Sequence, residues 1–424
     1  MQCIVITMVI AFAGVLFTIG GAGAVQDKGS TSTDWPHWRG PQHNGISTEI
    51  DWLGGWADGQ AKIIWKQSIG TGFSSMAVSR GRIYTMGNTA KNRSDRNPKD
   101  VVYCLDADTG NVIWTHQYPC DLGARSYKGG THATPTVEGD AVYTFSKQGH
   151  AFCLDAATGK VKWSRDVQKE LDLEPPTWGF ASSATIIGKL LLLNVGGEAI
   201  SLDKTTGDVI WNRANEPNEP AGYSTPYLFS AGGSKGLAFF TAESMKAVEI
   251  ETGKLLWLIP WKTSYDAPAA DPIFSGDKVF ISSGWNRGGG LFKISGSECT
   301  KIWENKLMCN QNNSSVLWEG YLYGFSGNQG GRGILRCLDF NTGQMKWEAK
   351  GMGTGSLMMA DGKLIILSED GELVIAEASP KGFKALRRSR ILNGTCWTVP
   401  VLSGGRIYAR CAEGDLVCVD VKGN

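Results

Sequence analysis

Tryptophan recurs along the chain at Trp65, Trp114, Trp163, Trp211, Trp257, Trp303 and Trp347, in steps of 49, 49, 48, 46, 46 and 44 residues. A period of that size, carried by short apolar strands, is the mark of a β-propeller with one blade per repeat. Each tryptophan closes a longer motif. Leu105-Asp106-Ala107-Asp108-Thr109-Gly110 precedes Trp114, and Leu154-Asp155-Ala156-Ala157-Thr158-Gly159 precedes Trp163. The form L-D-x-x-T-G-x-x-x-W returns at Leu202–Trp211 and Leu338–Trp347, and at Val248–Trp257 with Glu249 in the Asp place. The Asp is suited to accept turn hydrogen bonds, the Gly to take positive φ, and the Trp to lay a flat surface on a neighbouring blade. Two repeats have decayed. Cys299 stands near the turn before Trp303, and the stretch from Val374 through Gly382 leads to no tryptophan.

Alternation within a repeat predicts four short strands, A to D. A strands open near Ser75, Thr134, Ala184, Thr225, Asp271, Ser315, Ser356 and Val399. That predicts an all-β fold: an eight-bladed propeller of four-stranded antiparallel blades. The last repeat reaches only a third strand at Cys418–Val421, while Lys62-Ile63-Ile64-Trp65 reads as a fourth strand without its first three. The N-terminal strand is therefore expected to complete the last blade and close the ring, which removes open sheet edges.

The organisation is read as a signal peptide over residues 1–24, a leader over 25–60 and the propeller over 61–424. Residues 4–19 are almost wholly apolar and Ala22-Gly23-Ala24 resembles a cleavage site, although no Lys or Arg precedes the run. An uncleaved anchor is the rival reading, and through it, or through a membrane partner, the protein would touch a membrane. Either way the propeller is expected to be exported, to the periplasm or cell envelope. A formal net charge of +1 gives no electrostatic case for nucleic acid. Of the ten cysteines, Cys104, Cys153, Cys337 and Cys418 share one repeat position and read as buried strand residues. Cys299 and Cys309 are the better disulfide candidates.

The repeat, from residue 61 to 421, resembles the PQQ-type (quinoprotein) propeller repeat. Asp34-Trp35-Pro36-His37-Trp38-Arg39-Gly40-Pro41 resembles the leader of secreted bacterial PQQ-like repeat proteins. Its tryptophans are expected to pack over the propeller rather than to bind ligand. The resemblance implies one of two functions. One is a pyrroloquinoline-quinone (PQQ) dehydrogenase with calcium. The other is a non-enzymatic propeller like the BamB subunit of the outer-membrane barrel-assembly machinery. The dehydrogenases resemble one another in carrying adjacent cysteines and long insertions around the cofactor. This chain has no Cys-Cys pair and little beyond its repeats. Glu198 and Asn310 are calcium candidates that no motif selects. The five histidines show no metal spacing.

Strand parity puts the D-to-A and B-to-C connections at one face and the TG turns at the other. The first face gathers the aromatic, amide and cationic residues: Arg125, Tyr127, Lys128, His132, Trp178, Tyr223, Trp285, Arg287, Asn310 and Trp397. Each could equally cap its own strand. Together they predict a surface for a protein or a polar ligand. The expectation is an exported, non-catalytic binding or scaffolding propeller with no catalytic residue, metal or cofactor. A minimal PQQ-binding dehydrogenase is the alternative.

Overall fold

The repeated turn explains itself in the computed structural model, which describes residues 33–422 apart from 54–55, 57–58, 198, 214–218 and 328–331. Asp106 accepts from the backbone N–H groups of Asp108 and Thr109 and from the Thr109 hydroxyl, at 3.1, 2.8 and 2.8 Å. These bonds hold its carboxyl below the usual range, the Thr109 side chain contributing most. Gly110 follows at φ +72°, and a Cβ there would lie 2.6 Å from the indole of Trp65. That indole donates from Nε1 to the Ala107 carbonyl at 3.1 Å. Where the turn is intact, the preceding blade's tryptophan thus lies on its glycine and bonds the carbonyl that follows its acidic residue. Trp114 on Ala156, Trp163 on Lys204 and Trp211 on Ile250 do the same. Where the fifth turn has decayed, Trp257 Nε1 is buried without an acceptor.

The strands form eight sheets of A-B-C-D order. Blade 1 comprises Ala77–Ser79, Arg82–Asn88, Lys99–Asp106 and Val112–Pro119. The A strands of blades 2 to 7 begin at Thr136, Thr185, Tyr227, Ile273, Val316 and Ser356, each within two residues of its predicted opening. Blade 8 comprises Val401–Ser403, Arg406–Arg410, Asp415–Asp420 and, as its outer strand, Lys62–Ser68. Lys62 pairs with Asp420 and Ser68 with Asp415, antiparallel, so the predicted closure is present. Cys104, Cys153, Cys337 and Cys418 are buried in the strands. The proposed Cys299–Cys309 pairing is overturned. Both thiols are free; Cys299 lies near the start of the extended strand Glu298–Asn305 and Cys309 beyond its end, so roughly 20 Å of strand runs between them. Among the described residues, no helix is long and apolar enough to cross a membrane.

The leader is more deeply built in than its composition suggests. Trp35 pairs with Val78, and the Pro36 carbonyl accepts from Val137. Ile46–Ser47 adds a parallel fifth strand against Met359 and Ala360 of blade 7. The Glu49 carboxylate accepts from Gly404 and Gly405 in blade 8. Trp52 and Trp56 are buried in the cluster that joins blades 7, 8 and 1. There the D strand of blade 7 has Arg387 in the tryptophan register, its Nε donating to the Trp56 carbonyl at 2.6 Å. The leader thus supplies indoles where the seventh repeat lacks its one motif tryptophan.

Arg39 anchors this segment on the propeller axis. It is 6% exposed and donates to the carbonyls of His43, Asn44 and Ser315 at 3.1, 2.9 and 2.9 Å. Its Nε lies 3.9 Å from an Asp271 oxygen. The partners of the leader include the A-to-B turns of blades 1 and 8, so it covers the TG-turn end of the channel.

Candidate functional site

The other end of the channel is a cup of about 380 Å3. Seven of the eight D-to-A connections reach its wall. They contribute Phe73, Arg125 to Tyr127 with His132, Trp178, Tyr223, Tyr265, Gln311 to Asn313, and Trp397. The B-to-C turn of blade 5 adds Trp285, and Trp38 of the leader enters from the opposite end. The large aromatic rings in this wall are half-buried or, in Tyr265, exposed, rather than packed away.

Below the rings runs a collar of hydrogen bonds from blade to blade. The Ser75 amide donates to Thr134 Oγ1, Thr134 to Ser183 Oγ, Ser183 to Thr225 Oγ1, Thr225 to Asp271 Oδ1 and Asp271 to Ser314 Oγ, all between 2.8 and 3.1 Å. These residues stand at the head of successive A strands, where sequence alone shows only a recurring small polar residue. The collar satisfies inward-facing amides that have no sheet partner. It also fixes the angle between blades at the axis.

The rings form three groups. Trp397 stacks on Phe73 at 5.2 Å and 16°, and Phe73 meets Tyr127 at 5.8 Å. Trp178 meets Tyr223 at 6.0 Å, its backbone N–H bonding the Tyr223 hydroxyl at 3.3 Å. Tyr265 meets Trp285 at 4.7 Å and 58°. This last pair is held by unfavourable backbone. Tyr265 and Asp266 have φ of 64° and 51°, and Trp285 and Asn286 have φ of 54° and 59°. Consecutive positive φ values are the province of Gly and Asn, and a bulky aromatic there is strained by about 1–3 kcal/mol. Local structure is thus sacrificed at two separate turns to bring a phenol and an indole together at one mouth.

The electrostatics leave the interior nearly neutral. Asp271 is buried among Arg39, the Trp38 indole at 2.6 Å and the collar. Burial raises its carboxyl above the usual range against the pull of Arg39. His132 bonds Tyr127 through Nε2 at 2.8 Å. Burial, with Lys147 nearby, holds His132 down at about 3, so its ring is neutral. Arg125 is exposed at the rim.

Seven of the ten expected residues, Arg125, Tyr127, His132, Trp178, Tyr223, Trp285 and Trp397, line the cup. Three do not. Lys128 sits outside the wall, 3.3 Å from Glu413. Arg287 lies 3.6 Å over the Trp261 ring and pairs with Glu304 at 2.6 Å, bracing the Trp285 turn. Asn310 is 1% exposed and bonds the Phe325 carbonyl and the Ser315 hydroxyl, a capping role. Phe73, Asp271 and Trp38 were missed. Trp38 corrects the expectation that both leader tryptophans only pack: Trp35 does, whereas Trp38 forms part of the floor.

A quinone site with calcium does not fit these residues. Asp271 is the one carboxylate on the described wall, and its oxygens are already engaged. Asn310 is committed to its own blade, and Glu198 lies outside the described residues. Among the described residues, no three His, Cys, Asp or Glu side chains group as a metal site.

The family described as outer membrane protein assembly factor BamB matches residues 98–349. Comparison with curated proteins finds no match. Among solved structures, BamB from Moraxella catarrhalis superposes with a TM-score of 0.60 at 15% identity, covering 86% of this chain and 99% of that one. A europium-containing methanol dehydrogenase gives 0.69 at 11% identity, covering 91% and 98%. Quinohemoprotein alcohol dehydrogenase from Comamonas testosteroni gives 0.68 at 13%, covering 92% and 81%. At these identities the likeness is one of fold.

Proposed function

The chain belongs to the PQQ-like propeller family described as outer membrane protein assembly factor BamB, and on that premise we propose that it is an exported, non-catalytic binding or scaffolding propeller of the cell envelope. Its working face is the cup of D-to-A and B-to-C connections, where a protein or polar ligand docks. The observation that carries this reading is the convergence of half-buried aromatic residues from separate blades, two of them on strained backbone. Exposed aromatics of this kind are the usual anchors of binding energy. The non-catalytic part rests on chemistry. The described wall offers no nucleophile beside a free base, its carboxylate is ion-paired, and its histidine is neutral and bonded to a tyrosine.

Two measurements test the reading. Reconstitution with PQQ and calcium, followed by dye reduction with an alcohol and sugar panel, is expected to give no turnover. Quinone-dependent turnover overturns the non-catalytic assignment. In parallel, Tyr127→Ala with Trp285→Ala should weaken partner capture from an exported fraction. Asp108→Ala and Lys160→Ala, on the TG-turn face, should not. The reverse pattern moves the site to the other face.

A further inference from the structure

The collar has a second property beyond joining blades. Thr134, Ser183 and Thr225 each accept one amide hydrogen bond and line the cup. A hydroxyl that accepts still has its own proton to donate. Three neighbouring blades therefore present donors at the base of the cavity. On the adjoining wall, Gln311 Oε1 and Asn312 Nδ2 are buried without a hydrogen-bond partner. One is an acceptor and the other a donor. Buried polar atoms left this way cost about 1–3 kcal/mol each and call for an explanation, a ligand being one.

The polar groups of the cup are thus mixed in sense, and its charge is cancelled. A cationic ligand would find on the described wall only Asp271, already paired with Arg39. A multiply anionic ligand would find one guanidinium, Arg125, exposed at the rim. Above the polar base, Trp178 and Trp285 offer half-buried flat faces and Tyr265 an exposed one. Such faces suit the C–H side of a ring whose other edge is polar. The floor is closed by Trp38 bonded to Asp271, so the cup admits a compact ligand and not a threaded chain. Its volume is at the lower end of ligand pockets.

We propose that the cup is a saccharide-binding site. It takes a neutral mono- or disaccharide, stacked on Trp178 and on the Tyr265–Trp285 pair, with its hydroxyls on the collar and on Gln311 and Asn312. Sugar hydroxyls both donate and accept, which is what this set of partners requires. The proposal rests on the binding reading above and names the ligand class for the same cup.

The experiment is calorimetric titration and tryptophan fluorescence of the full chain with glucose, maltose, cellobiose and N,N′-diacetylchitobiose, alongside choline, citrate and PQQ. At least one saccharide should bind with a Kd of about 1 mM or tighter and shift the emission. Trp178→Ala, and separately Tyr265→Ala, should weaken that binding by about tenfold, with melting curves like the parent's. Tyr265 is 65% exposed, so its truncation leaves the fold intact. Binding of choline, citrate or PQQ alone overturns the saccharide assignment and keeps the cup as a ligand site. Absence of saccharide binding while cup variants still lose partner capture overturns it equally. If no probe binds and the cup variants capture partners as the parent does, both readings fall.

Discussion

Replacing Arg39 with alanine should be among the most damaging single changes outside the strands. The guanidinium is buried, and its removal leaves three leader and blade 6 carbonyls without their donor. It also leaves Asp271 without its counter-charge, still bonded by Trp38 and the Thr225 amide. Breaking a buried pair costs about 3–5 kcal/mol. Unfolding entropy near 2.1 cal/mol/K per residue makes each kcal/mol worth roughly 1.2 °C in a propeller of this length, so the melt should fall by about 4–6 °C. The sign of the pH dependence is definite. The folded carboxyl of Asp271 is raised above its unfolded value, so the folded state binds the extra proton. Stability from this group is then greatest below the unfolded pKa and declines as pH rises through the folded one. Without Arg39 the folded value rises further, and the Arg39→Ala penalty should be smaller at pH 5 than at pH 8. Differential scanning calorimetry at both pH values, with Asp271→Asn and the double variant, completes a cycle. A penalty equal at the two pH values and unaltered by Asp271→Asn would refute the argument.

Gln67→Pro removes a donor from the strand pairing Gln67 with Leu416 and should cost about 3 kcal/mol or more, with aggregation from the exposed Asp415–Asp420 edge; a melt like the parent's contradicts the closure. Gly110→Ala should be worse than Gly139→Ala. Both glycines have positive φ, costing about 1–2 kcal/mol for alanine. Only Gly110 would drive its Cβ into an indole, whereas nothing lies within 4 Å at Gly139. Equal losses in denaturant titrations would show that the indole yields. His37 and His43 stack at 3.9 Å. Burial holds them neutral, at about 4 and about 3. Because folded values lie below the unfolded 6.5, their contribution is present above 6.5 and lost as pH falls towards 4. His37→Gln with His43→Gln should flatten that part of the stability profile, and an unchanged slope points to other groups.

The propeller was legible because its period is written in residues with a local job. The Asp, Gly and Trp of each turn act within one blade and its neighbour, so their spacing survives in sequence. The cup was partly legible, since strand parity assigns every D-to-A residue to one face. Parity cannot say which side chain on a loop turns inward. Lys128, Arg287 and Asn310 were grouped with the cup on type and position, but nearby partners draw them aside. Trp38 and Asp271 meet across 233 positions of chain, and no periodicity relates them. Nor does a sequence display backbone strain. Tyr265-Asp266 and Trp285-Asn286 look like ordinary loop residues until their φ angles are known.

The course of the leader bears on how the ring answers a pull. Lys62 and Asp420 are opposed at the outer end of the closing pair, so tension applied between those two residues would peel the ladder one pair at a time. That is the weakest way to load a strand pair. Tension arriving from upstream of Thr33, as from an attachment at that side, meets other bonds first. It must free Trp35 from blade 1, Pro36 from blade 2, Arg39 from blade 6, Ile46–Ser47 from blade 7 and Glu49 from blade 8 before it reaches Lys62. A propeller held by its leader would thus hang from the inner strands around its channel, with the seam of the ring slack.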